Sequence, residues 1–250
     1  MTLAGKVKEI EEQKEDKLKE EACKISVQEG SAYSISDGFG FRYITPYALT
    51  LGANNTHIGL LSTIPNLIGS FSGLHGVQLM KELPRKKIVF VGVLTQAIMW
   101  LALIMIGVLF FVFHIDSDIA PILMIITYTL VVVSAAVTGP AWNSWMKDII
   151  PVRFGSYFGI RNRICGAISL ITLIIAGFLL DFFKKFDLLL GFVIVVLIAF
   201  IGRAISASFF TKIHEPRFVE ENREHLSFTS FAKKIYKNNS LHSPELHLEY

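Results

Sequence analysis

From Ile88 to Phe113 the chain carries no charged residue. That run limits the possible folds severely, because about 20 apolar residues are enough for a helix to cross the hydrocarbon core of a bilayer. Further runs with almost no charge occupy 119–146, 164–183 and 188–210, and two more polar ones occupy 31–52 and 57–80. Hydrophobic residues make up 52% of the 250 positions, and the mean hydropathy is +0.50. A soluble domain of this length could not cover so much apolar surface. The charged residues instead crowd into residues 1–24, the short connections and residues 211–250. The fold expected is therefore an all-α membrane protein. A bundle of six transmembrane helices should span 29–212, preceded by a charged leader over 1–28 and followed by a polar tail over 213–250.

Basic residues orient the bundle. The connection between the second and third spans holds Lys81, Arg85, Lys86 and Lys87, and that between the fourth and fifth holds Lys147, Arg153, Arg161 and Arg163. Lys212, Arg217 and Arg223 follow the sixth span. The loops ANNTH (53–57) and HIDSD (114–118) contain neither Lys nor Arg, and only Lys184 and Lys185 break the pattern on that side. The positive-inside rule then places both termini in the cytoplasm of a protein in the cell membrane. Loops this short, about five residues, make consecutive helices antiparallel neighbours. In the leader, Glu15–Lys19 and Glu20–Lys24 have the i,i+4 spacing of an exposed helix. No signal peptide is expected, since the first apolar stretch lies behind that charged segment. Cys23 falls in the leader and Cys165 in a span, so neither a disulfide nor a metal site is expected.

The first span, SAYSISDGFGFRYITPYALTLG, is where chemistry concentrates. Asp37 and Arg42 lie inside it, and a charge at mid-depth costs at least a few kcal/mol unless it faces a cavity or a partner. On a continuous helix, residues five apart are rotated by roughly 140°, so the two should each find other partners. Tyr33 shares a face with Asp37, and Tyr43 with Tyr47, at i,i+4. These five residues, with Asn143 of the fourth span, form the expected solute cavity. In the second span Gly69 and Gly73 form G-x-x-x-G, which favours close helix packing. A membrane serine protease would need G-x-S-G there, but Ser70 precedes Phe71. A metalloprotease helix motif and a phosphate-binding loop are also absent from the sequence, so no enzyme and no cofactor is expected. Pro140 can kink the fourth span. Trp145 suits the interfacial aromatic belt, and Arg203 of the sixth span suits structural pairing.

Two stretches carry a family resemblance. GVQLMKELPRKK (76–87) resembles G-x-x-x-D-R-x-G-R-[RK], which closes the second helix of major facilitator superfamily transporters. Gly76, Lys81 and Arg85 match it. Met80, Leu83 and Pro84 replace its Asp, Gly and second Arg, so gating through that Asp does not carry over. The stretch GPAWNSWMKDIIPVRFGSYFGIRNRICG (139–166) resembles the turn from helix 4 to helix 5 in a prokaryotic branch of the family. The resemblance covers roughly 30–237 and implies the first of two six-helix halves, each a 3+3 inverted repeat, with solute held between halves. Helices 1 and 4 should then line the cavity. Gly76, Lys81, Arg85, Asp148, Arg153, Arg161 and Arg163 should form a cytoplasmic gate, with Asp148 paired to Arg153 or Arg161. It implies secondary transport of a small solute by alternating access. A coupling proton on Asp37 is conceivable, but no second acidic group stands at mid-depth to relay it. The expected partners are the solute, the lipid bilayer and a second half-transporter chain or another copy of this one, and not nucleic acid. A truncated transporter is the first explanation for a six-helix chain, and a deliberate half-transporter the second. The competing reading is a non-transporting six-helix membrane protein, an assembly factor or receptor.

Overall fold

The computed structural model describes residues 3–150 and 154–216, with side chains from Glu9 onward except at 11 and 12. They form six long helices and one short one: α1 (Leu3–Phe39), α2 (Ile44–Thr50), α3 (Asn55–Leu79), α4 (Arg85–Phe111), α5 (Ile119–Ile149), α6 (Phe154–Phe183) and α7 (Leu188–Lys212). Among the described residues there is no strand. Helices α4 to α7 are each long and apolar enough to cross a membrane. The polar residues of α1 and α3 keep those two outside that group.

Helix α1 runs without a break through the boundary expected at residue 28. Ala22 and Ser26 are already buried in the bundle, and the Ser26 hydroxyl faces the Met146 sulfur of α5. Glu15–Lys19 and Glu20–Lys24 form the ion pairs their spacing predicts. The tail beyond Pro216 lies outside the described residues.

The first span is not one continuous helix. α1 stops at Phe39, a 3-10 turn covers Phe41–Tyr43, and α2 completes the crossing. Pro46 supplies the reason. It has no N–H for the carbonyl of Arg42, and its ring would collide with that carbonyl in a regular helix. Gly40 allows the break to sit deep in the bundle, since a Cβ there would lie 2.5 Å from the Trp100 ring and 2.8 Å from Ala199. α2 ends in a Schellman motif: Gly52 adopts φ +88°, and the N–H groups of Ala53 and Gly52 reach the carbonyls of Ala48 and Leu49.

The next starts are capped. The Asn54 side chain accepts from the His57 N–H at 2.9 Å, while His57 Nδ1 accepts from the Asn54 N–H. Asp187 accepts from the N–H of Leu190 to open α7. The fifth span starts a full ten residues earlier than expected. Arg161 and Arg163 are therefore helical residues rather than loop residues.

Helix pairing follows a symmetry. α1 packs on α6 and α7, α5 packs on α3 and α4, and α4 packs on α7. Exchanging the first three spans for the last three maps these five pairings onto one another, as in a 3+3 repeat, while α6 also touches α7 with no comparable α3–α4 contact. Gly69 and Gly76 lie at the α3–α5 contact: added Cβ atoms would approach Val132 and the Val137 carbonyl. Close approach of two backbones is what the small residues allow. Two apolar clusters fill the bundle. One surrounds Trp100, Tyr47, Met124 and Phe192, and the other surrounds Trp145, Met146, Phe210 and Ile213 at the basic end.

Candidate functional site

A cleft of about 440 Å³ opens between α1 and α6. The first span contributes Tyr33, Asp37 and Arg42, and α6 contributes Arg161, Cys165 and Ser169 among others. The break at Gly40 corrects the expectation for the charged pair. Because the chain turns there, Arg42 Nη2 comes within 3.3 Å of Asp37 Oδ2. The same Asp37 oxygen accepts from the Ser169 hydroxyl of α6. Arg42 remains 59% exposed while Asp37 is only 20% exposed, so water screens the pair at the arginine end.

The remaining expected cavity residues separate. The Tyr43 hydroxyl donates to the Leu173 carbonyl at 2.8 Å, tying the 3-10 turn to α6. Tyr47 is a core residue, 1% exposed, stacked on Phe192 and donating to the Leu103 carbonyl. It lies one helical element beyond the break, so the face it would share with Tyr43 on a continuous helix does not exist. Asn143 is exposed on α5, away from this cleft. The first and fifth spans line this cleft, while α5 packs mainly on α3 and α4.

Behind the cleft lies a polar network that the sequence reading missed at its centre, Glu29. Glu29 is 3% exposed and accepts from Arg161 Nη2 at 2.9 Å and from the Ser206 hydroxyl at 2.8 Å. Ser206 in turn accepts from Arg203, whose guanidinium also donates twice to Gln96 Oε1, at 3.1 and 2.8 Å. Arg203 stacks 4.7 Å from the centre of the Tyr33 ring, with the cleft bordered by that same tyrosine. The network joins α1, α4, α6 and α7. Glu29 stands at the first position of the expected bundle, next to the edge of the charged leader. The signal available was its place one turn before Tyr33 on the polar face of the first span. It is a second acidic group of α1 that the bundle buries.

The expected gate residues fall into two groups. Arg85, 2% exposed, joins Asp148 and the Ser144 hydroxyl of α5, and also meets Glu215 and the Pro216 carbonyl. Arg161 does not reach Asp148. It bonds Glu29 and the Ser26 carbonyl and lies 4.9 Å over Trp142. Its reach depends on Gly30, where a Cβ would stand 2.6 Å from the guanidinium. Lys81 and Arg163 are exposed, and Arg153 lies outside the described residues. Trp145 is fully buried rather than interfacial. Its indole N–H donates to the His214 carbonyl at 2.9 Å, because the segment after α7 folds over the end of α5.

The all-α fold agrees with what a family comparison finds. The family model described as Major Facilitator Superfamily matches residues 31–243. The chain belongs to the major facilitator superfamily. It is thus a multi-pass membrane protein of a transporter family, acting in transmembrane transport and not as an enzyme. The match takes in all six long helices of the bundle except the leader part of α1. No curated protein and no solved structure matches the chain significantly.

Proposed function

We propose that this bundle is one half of a secondary transporter that carries a small solute by alternating access, using the cleft between α1 and α6. The supporting observation is the Asp37–Arg42 pair, held by Ser169 and open to the cleft at the break in the first expected span. Ionisable groups within a span mark solute or ion paths. The basic loops argue for cytoplasmic termini and insertion in the cell membrane. A second six-helix bundle, from another chain or a second copy, would complete the path. The Arg85–Asp148 cluster at the basic end is suited to hold one gate state, because it bridges α4, α5 and the segment leaving α7. Arg161 belongs to the solute side of this scheme, and Gly76 acts through packing. The test is uptake into proteoliposomes: Arg42→Ala should abolish transport while the folded protein is recovered at the same yield. Wild-type uptake by that variant would refute the assignment of the cleft.

A further inference from the structure

The charge in and behind the cleft does not balance. Among the described residues there, three guanidiniums (Arg42, Arg161 and Arg203) stand with two carboxylates (Asp37 and Glu29). Each carboxylate already has its own arginine. Arg203 forms no direct ion pair: it bonds Gln96 and the Ser206 hydroxyl, lies over the Tyr33 ring, and meets Glu29 only through Ser206. It is 7% exposed, so water does little to screen it. A buried charge without a full counter-charge raises the local potential of a low-dielectric site and draws in an ion of opposite sign.

The geometry points to a small organic monoanion as the solute, a carboxylate on an apolar body. This inference rests on the cleft being the solute site. Arg42 is the docking group. It gives one donor to Asp37 at 3.3 Å, and its planar fork suits a carboxylate. Asp37 then keeps Arg42 turned toward the cleft and opposes a second negative charge, which limits the solute to a single one. Leu170 and Leu173 border the cleft and offer the apolar body a surface. Arg203, behind the Tyr33 ring, acts through its field without touching the solute.

Cys165 borders the cleft and reports occupancy. In the full chain carrying Cys23→Ser it is the sole thiol. Its alkylation by N-ethylmaleimide in lipid nanodiscs would be followed with three probes of one shape: benzoate, benzamide and benzylamine. With benzoate at about ten times its Kd, mass action predicts about tenfold slower labelling. Benzamide and benzylamine should leave the rate unchanged. Arg42→Gln should remove the benzoate protection. If that variant does not fold, Arg42→Lys, which keeps the charge but not the fork, should weaken the protection without transferring it to benzylamine. Protection by benzylamine or benzamide equal to that by benzoate overturns the inference, as does no protection by benzoate. Uptake of the same probes into proteoliposomes separates the two ideas. Benzoate protection without uptake of any probe would count against transport and leave the anion site standing, while uptake of benzylamine alone would do the reverse.

Discussion

Glu29 shows how one residue can hold four helices in register. Its two oxygens take Arg161 from α6 and Ser206 from α7, and Ser206 passes the contact to Arg203 and Gln96. Neutralising it leaves the Arg161 guanidinium without its carboxylate and removes the acceptor that Ser206 links to Arg203. Breaking a buried pair from one side typically costs about 3–5 kcal/mol. Glu29→Gln should therefore lower the thermal unfolding midpoint in detergent clearly. Adding Arg161→Gln should recover part of the loss, because the second change removes the stranded charge. Equal or greater loss in the double variant would show that the pair is not coupled. Asp37 and Arg42, more exposed, should change stability far less than Glu29.

Glycines set the spacing of the elements, and they divide into two kinds. At Gly76 a Cβ would lie against the Val137 carbonyl, so Gly76→Ala must push α3 away from α5. Overpacking of this sort costs about 1–3 kcal/mol. At Gly155 on α6 nothing lies within 4 Å of the added carbon. There, alanine should be neutral or stabilise by up to about 1 kcal/mol through its better helix propensity. Midpoints of the two variants measured side by side decide the matter: similar shifts would mean that the α3–α5 contact is looser than described. The helix break in the first span belongs to this scale too. Pro46 and Gly40 were visible in the sequence, yet the polar face was read on a continuous helix, which sent Tyr47 to the cavity and kept Asp37 from Arg42.

Across the whole molecule, the basic end is closed by the chain itself. Arg85, Lys86 and Trp145 hold residues 213–216 against the ends of α4 and α5. Lys86 Nζ donates to the carbonyls of Thr211 and Ile213 at 2.7 and 3.0 Å, and Ile213 is fully buried. Arg85→Ala should loosen this end and speed trypsin cleavage after Lys212 several-fold, seen as a shorter product on a gel. Asp148→Ala should do less, because Asp148 is 41% exposed and water can take its place. Faster cleavage in Asp148→Ala than in Arg85→Ala would mean that Asp148, not Arg85, carries the closure. Composition and periodicity were enough to specify the membrane, the number of long helices and the basic end. Those properties depend on how many apolar residues follow one another and where Lys and Arg stand, both of which are local. The residues facing the cleft were a different matter. They depended on which helices touch, on a break that turned Arg42 back to Asp37, and on a glutamate whose importance comes from partners more than 130 positions away. Only the tertiary structure brings such distant residues within hydrogen-bond reach, and burial then makes a few of those contacts decisive.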